Sequence, residues 1–157
     1  MLIIEGDLLD TPFQIIAHQV NCLGVMGAGL AKNLRQKYPE LYTVYNEYCK
    51  LNDYDSDLLG NSLLYDAPDG KIVVNLFGQY NYGKDRRYTD YDALEKAVKD
   101  AIRTIYCDAM KEDGIQFCIA IPYGLGCGLA GGDWEIVKKI LEDIEKEENV
   151  LFIAYQR

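Results

Sequence analysis

Apolar and polar positions along the chain alternate between two periods, and the alternation predicts the elements. Leu2 to Ile4 is a short apolar run stopped by Gly6-Asp7, and Gln14 to Val20 is a second β-rich run ending at Asn21-Cys22; both read as strands. From Gly29 the spacing becomes helical: Leu30, Leu34 and Tyr38, then Leu41, Val44, Tyr45 and Tyr48, share one face, and Pro39 divides the segment into two helices. Asn52 to Gly60 is turn-rich. Ser62 to Tyr65 and Ile72 to Phe77 read as strands joined across Pro68-Asp69-Gly70, and Gly78 to Asp90 is a long, tyrosine-rich polar loop of a length that often serves function. Helical spacing returns over Tyr91 to Met110 and Asp133 to Lys146, separated by a buried-type strand at Phe117 to Ile121 and followed by a last strand at Val150 to Tyr155. Alternating strands and helices predict a three-layer α/β fold.

No repeat, low-complexity segment or linker interrupts this pattern, and 157 residues suit one domain able to bury a core without disulfides or metal. Hydrophobic residues make up 49% and charged residues 26%, ordinary values for a globular chain. The net charge of -9 makes a nucleic-acid polymer an unlikely partner, because such binding rests on neutralising many phosphates. A small phosphate ligand is still open, since backbone N–H groups and helix N-termini act locally. Five cysteines at 22, 49, 107, 118 and 127 contain no C-x-x-C pair, which argues against a disulfide framework or zinc site and for a reducing compartment. The acids of MLIIEGDLLD do not suit a signal peptide, and no apolar run approaches the roughly 20 residues of a membrane span. A cytoplasmic location without membrane contact is the expectation.

Two glycine-rich loops carry the candidate chemistry: Asn21 to Gly29, and Pro122 to Trp134 with glycines at 124, 126, 128, 131 and 132. Each follows a predicted strand and opens a predicted helix. Glycine permits close backbone approach, so successive N–H groups can converge on one anion, and two such loops suit a diphosphate. Turns between elements are the plain alternative for either loop alone. Neither is a G-x-x-x-x-G-K-[ST] loop, and neither has the G-x-G-x-x-G spacing of a dinucleotide fingerprint.

Gly6-Asp7-Leu8, His18-Gln19-Val20-Asn21-Cys22 leading into Gly24-Val25-Met26-Gly27-Ala28-Gly29-Leu30-Ala31, and Gly126-Cys127-Gly128-Leu129 followed by Asp133-Trp134 occur in an order and at separations that resemble the macro domain family. Within it the chain is similar to the branch containing yeast-type ADP-ribose-1''-phosphate phosphatases and terminal ADP-ribose glycohydrolases. The resemblance covers nearly the whole chain and implies a three-layer α/β/α domain with a central mixed sheet that binds ADP-ribose. It also implies hydrolysis of an ADP-ribose derivative, foremost ADP-ribose-1''-phosphate, without cofactor or metal; removal of ADP-ribose from modified protein or nucleic acid, or binding without turnover, are the alternatives.

The resemblance places Asp7, with Leu8, at the adenine, and Asn21 at the terminal ribose, where it is also a catalytic candidate beside His18 and Asp133. Gly24, Gly27, Ala28, Gly29 and Leu30 from the first loop, with Gly124, Leu125, Gly126, Cys127, Gly128 and Leu129 from the second, would wrap the diphosphate and terminal ribose. Tyr155 is a candidate to stack on adenine or, equally, a core tyrosine. His18, the only histidine, is similar in place to a histidine of the phosphatase branch and is a candidate acid or base; a structural role is the alternative. Asp133 is either a base for an attacking water or the N-cap of its helix. The lysine that the glycohydrolase branch uses after its fourth strand is replaced here by Gly78 or Gln79. Lys84, Arg86 and Arg87 are left as a charge clamp or a solvated loop tip. Cys22 and Cys127 sit in the loops but read better as small packing groups than as nucleophiles.

Overall fold

Residues 1–109 and 116–157 are described by a computed structural model, with 107–109 known by backbone alone. The predicted end of the third helix at Met110 and the Cys107 side chain lie outside the described residues. Six strands, β1 (Leu2–Glu5), β2 (Ile15–Val20), β3 (Ser62–Asp66), β4 (Ile72–Phe77), β5 (Phe117–Pro122) and β6 (Val150–Gln156), form one sheet in the order β1-β6-β5-β2-β4-β3. All neighbours are parallel except the β3–β4 hairpin. Four helices, α1 (Gly29–Lys37), α2 (Pro39–Leu51), α3 (Tyr91–Ala109) and α4 (Trp134–Glu147), cover the two faces, giving the three layers expected.

The strand period of two distributes the core. Ile15 and Ala17 of β2, Val74 and Leu76 of β4 and Phe152 of β6 pack on α3 and α4. Val20, Val73 and Phe77, from the alternate positions, pack on α1 and α2. On α2, Leu41, Tyr45 and Cys49 recur every four residues and are all fully buried. Each such apolar side chain contributes roughly 1.5–3 kcal/mol on leaving water. The break between α1 and α2 has a local cause: Tyr38 precedes a proline, which drives it out of the helical region to φ -127, ψ 82, and Pro39 then starts α2 where no N–H is required. No helix of the described residues is long and apolar enough to cross a membrane.

Parallel β2 and β5 are adjacent, so their C-terminal ends deliver the two glycine loops side by side at one edge of the sheet. The Gly78–Asp90 loop leaves β4, on the other side of β2, at the same end. This is where open α/β sheets place ligand sites.

Candidate functional site

The first loop is built around Asn21, 6% exposed at the end of β2. Its Oδ1 accepts from Leu23 N at 3.0 Å, Val25 N at 3.2 Å and the Tyr45 hydroxyl at 2.9 Å, while Nδ2 donates to Val25 O at 2.8 Å. Behind the loop, Asn46 Nδ2 of α2 donates to Gly24 O at 3.1 Å. Gly24 has φ +76, and a Cβ there would come within 2.9 Å of that amide, so only glycine fits.

The second loop folds on itself through Cys127 N to Gly124 O at 2.7 Å and Gly132 N to Gly126 O at 3.0 Å. Leu125 is buried and roots the loop in the core. From α3, Tyr91 fixes the exit by accepting from Asp133 N at 2.9 Å.

Between the loops lies a cleft of about 620 Å³. Gly27, Ala28, Gly29 and Leu30 line one wall, and Gly124, Leu125, Gly126, Gly128 and Leu129 line the other, so nine of the residues expected at a ligand converge. Asn21, also expected, lines the cleft together with Gln19 and Gln79, and so do Tyr82, Gly83 and Lys84 of the Gly78–Asp90 loop. Lys84 is the one Lys or Arg in this lining, and no carboxylate or cysteine belongs to it, all among the described residues. One lysine and no carboxylate leave the lining locally cationic in a chain of net charge -9, a charge balance that favours an anionic ligand.

Several expected residues take other positions. His18 borders the cleft on β2, but its imidazole is 2% exposed. Its Nε2 lies 2.7 Å from Asn75 Oδ1. Since Asn75 Nδ2 donates to Leu63 O at 3.0 Å, Asn75 Oδ1 faces the ring and His18 Nε2 carries the hydrogen. Burial lowers its pKa to about 4, so the ring is neutral at pH 7 and its Nε2–H is engaged across the sheet. Asp133 is exposed, caps α4 by accepting from Glu135 N at 2.9 Å, and does not line the cleft. Of its two readings, the helix cap is the one in place. Asn21, proposed for catalysis, has its oxygen filled by three donors and retains one Nδ2 hydrogen, which suits binding and excludes proton abstraction.

Gly24 and Cys127 shape the loops from behind the cleft wall. Burial pushes the Cys127 thiol to about 11, with the Asp133 carboxylate adding to it, and the Cys22 thiol to about 12, so neither is a thiolate nucleophile at neutral pH. Of the residues expected at the adenine, Leu8 is buried with Ile16 and Ala120, and Leu30, a cleft residue, packs on this cluster beside Tyr155. The Tyr155 hydroxyl pairs with Thr11 Oγ1 at 2.8 Å. Asp7 accepts from Leu9 N at 3.0 Å and pairs with Arg157, and these bonds hold its carboxyl below the usual range. Asp7, Leu8 and Tyr155 therefore adjoin the cleft without lining it.

Tyr123, Tyr82, Gln19 and Tyr45 were not singled out in the sequence. The first two show as exposed aromatics in or beside polar loops, a signal that was available; Gln19 and Tyr45 sit inside runs that read as core. Among the described residues no group of three or more His, Cys, Asp or Glu side chains is placed to hold a metal ion.

A macro domain family model matches residues 17–141. The ADP-ribose 1''-phosphate phosphatase of Aspergillus oryzae is 29% identical over 178 aligned positions, covering 89% of this chain and 87% of that one. A Mycobacterium tuberculosis protein named DNA ADP-ribosyl glycohydrolase is 32% identical over 140 residues, covering 87% of this chain; the chain spans only 36% of that protein's length. The solved macrodomain of Mycobacterium tuberculosis DarG superimposes with a TM-score of 0.79 at 26% identity, over 99% of this chain and 98% of that one. With two glycine loops framing one cleft at the sheet's C-terminal edge, and a family model matching most of its length, this chain belongs to the macro domain family.

Proposed function

We propose that the cleft binds ADP-ribose derivatives and that the protein hydrolyses ADP-ribose-1''-phosphate to ADP-ribose and inorganic phosphate. The observation that carries this reading is the lining beyond the glycines: Lys84 and the one free Nδ2 hydrogen of Asn21 are present without an opposing carboxylate among the described residues. Such a set stabilises an anionic terminal group and repels nothing in it. Backbone N–H groups of the two glycine loops would hold the diphosphate, and the terminal phosphate would meet Lys84. Water then attacks phosphorus and the bond from phosphorus to the C1'' oxygen breaks; one proton of the water stays on the new phosphate, and the other passes by way of a phosphate oxygen to the departing C1'' oxygen, which leaves as the hydroxyl of ADP-ribose. Positioning and charge neutralisation supply the rate in this scheme.

A second reading has support of its own. Tyr80 and Tyr82 are 40% and 50% exposed on the loop that carries Lys84, an aromatic and cationic surface on which a base can stack. Relatives are named as acting on ADP-ribosylated DNA, so the net acidity of the chain does not exclude a nucleic-acid-linked substrate. The test is to supply ADP-ribose-1''-phosphate, an ADP-ribosylated oligonucleotide and ADP-ribosylated protein, and to follow phosphate and ADP-ribose release alongside calorimetric binding of ADP-ribose. Phosphate release supports the first reading, and ADP-ribose release from the oligonucleotide supports the second. ADP-ribose release from the protein would make it an ADP-ribosyl-protein hydrolase, and binding without product would make it a reader.

A further inference from the structure

Gln19 lies on the face of β2 that otherwise carries Ile15 and Ala17, and its amide links three segments of the site. Nε2 donates both hydrogens, to Gln79 Oε1 at 2.9 Å and to Thr89 Oγ1 at 2.8 Å. The Thr89 hydroxyl in turn donates to Gly126 O at 2.6 Å, and Gln79 Nε2 donates to Asn81 O at 2.8 Å. Both ends of this chain finish on carbonyl oxygens, which only accept, so its direction is fixed. Turning Gln79 would set oxygen against Asn81 O and Nε2 against Nε2; turning Gln19 would set its oxygen against Gln79 Oε1.

The consequence falls on Gln19 Oε1, which is shielded from solvent and has no hydrogen-bond partner; it is the one such side-chain atom among the described residues. It occupies a notch between Gly78 and Gly126, where an added Cβ would come within 2.4 Å and 2.8 Å of it. A buried, unpartnered amide oxygen is costly, and a fold that keeps one is holding the rest of that amide for a purpose.

The geometry points to Gln19 as a positioning residue of the cleft: through Gln79 and Thr89 it sets the spacing between the Lys84 loop and the second glycine loop, and so the grip on the distal end of the ligand. This rests on the cleft being the ligand site proposed above. The far end of the Lys84 loop is tied independently, by Tyr88 N and Thr89 N to Ala130 O at 2.7 Å and 3.2 Å. Loss of the Gln19 links therefore shifts the Tyr82–Lys84 tip relative to the opposite wall and leaves the diphosphate walls in place. The effect is confined to whatever lies beyond the diphosphate.

Calorimetry with ADP and with ADP-ribose on wild type, Gln19→Leu and Gln79→Met separates this role from a general one, because ADP lacks the distal ribose. The expected result is an ADP-ribose affinity about tenfold weaker in each variant with ADP affinity kept within about twofold, and a double variant no worse than the singles. Parallel loss of ADP and ADP-ribose affinity, or no change in either, would overturn the positioning role. Gln79→Met keeps the test available if Gln19→Leu does not fold. A wild-type protein that binds neither probe would overturn the ligand assignment itself, and the positioning role with it.

Discussion

The Tyr45 hydroxyl lies 2.6 Å from the backbone oxygen of Asn21 and 2.9 Å from its Oδ1, sharing one proton between two acceptors on the residue that starts the first glycine loop. Tyr45 is fully buried on α2, and burial raises its pKa far above neutrality, so the hydroxyl stays a donor at any physiological pH. A helix on the back of the sheet thereby decides which atom of Asn21 is free to face the cleft.

Tyr45→Phe removes that proton and takes the Tyr45 donor from the buried Asn21 O, while Oδ1 keeps those of Leu23 N and Val25 N. Stability should fall by about 1–3 kcal/mol, the penalty for an unsatisfied buried acceptor, and ADP-ribose affinity should fall with it. Urea denaturation and calorimetry on the one variant check both; unchanged values would mean that the hydroxyl does not organise the loop.

Gly126 and Gly128 should respond differently to alanine. Gly126 has φ +72 and a Cβ there would press within 2.8 Å of Gln19 Oε1, so Gly126→Ala should lose about 1 kcal/mol or more of stability. At Gly128 a Cβ meets nothing within 4 Å and enters the cleft, so Gly128→Ala should melt like wild type and bind ADP-ribose at least tenfold more weakly. Thermal melts read against calorimetry would show the split, and equal binding by Gly128→Ala would remove the diphosphate from that wall.

His18 sets a pH dependence. In the unfolded chain the imidazole takes a proton below about 6.5, whereas in the folded protein burial keeps it neutral down to about 4. Between those values the unfolded state binds the extra proton, so stability decreases as pH falls, by up to about 3 kcal/mol in all. Urea titrations at pH 7 and pH 4.5 on wild type and His18→Gln should differ in slope, the variant being flatter over this window. The turnover profile between pH 6 and 8 should carry no step that disappears in His18→Gln.

Asp133→Asn retains a side-chain oxygen for the Glu135 N–H and should preserve both the melting temperature and the rate. Asp133→Ala should lose about 1 kcal/mol of stability through the missing cap. Phosphate release by Asp133→Asn is the decisive assay: a large drop would return this acid to the reaction.

Much of this was legible in the sequence because it depends on local rules. Period two and period 3.6 located the strands and helices, Pro39 marked the α1–α2 break, and paired glycine loops at strand ends located the cleft. The Lys84 loop was recognised by its length. What escaped depends on contacts distant in sequence. Gln19 meets Gln79 and Thr89 across 60 and 70 positions, and no periodicity encodes that meeting. Tyr45 sits at a core spacing on α2, so its ring predicted its burial while its hydroxyl predicted nothing. His18 and Asp133 each admitted two roles from sequence, and only burial and hydrogen-bond partners separate them.

Because β2 and β5 pair at Ile15 with Ile119 and Ile16 with Ala120, before either strand reaches its loop, main-chain pairing places the roots of the two glycine loops and loop backbone sets the gap between them. The width of the cleft is thus a property of main-chain geometry, insensitive to most side-chain replacements on either strand. Side chains at its far end, carried by the loop after β4, can vary without disturbing that gauge. One scaffold can then keep a constant grip on a diphosphate while sequence change is spent on what is attached beyond it.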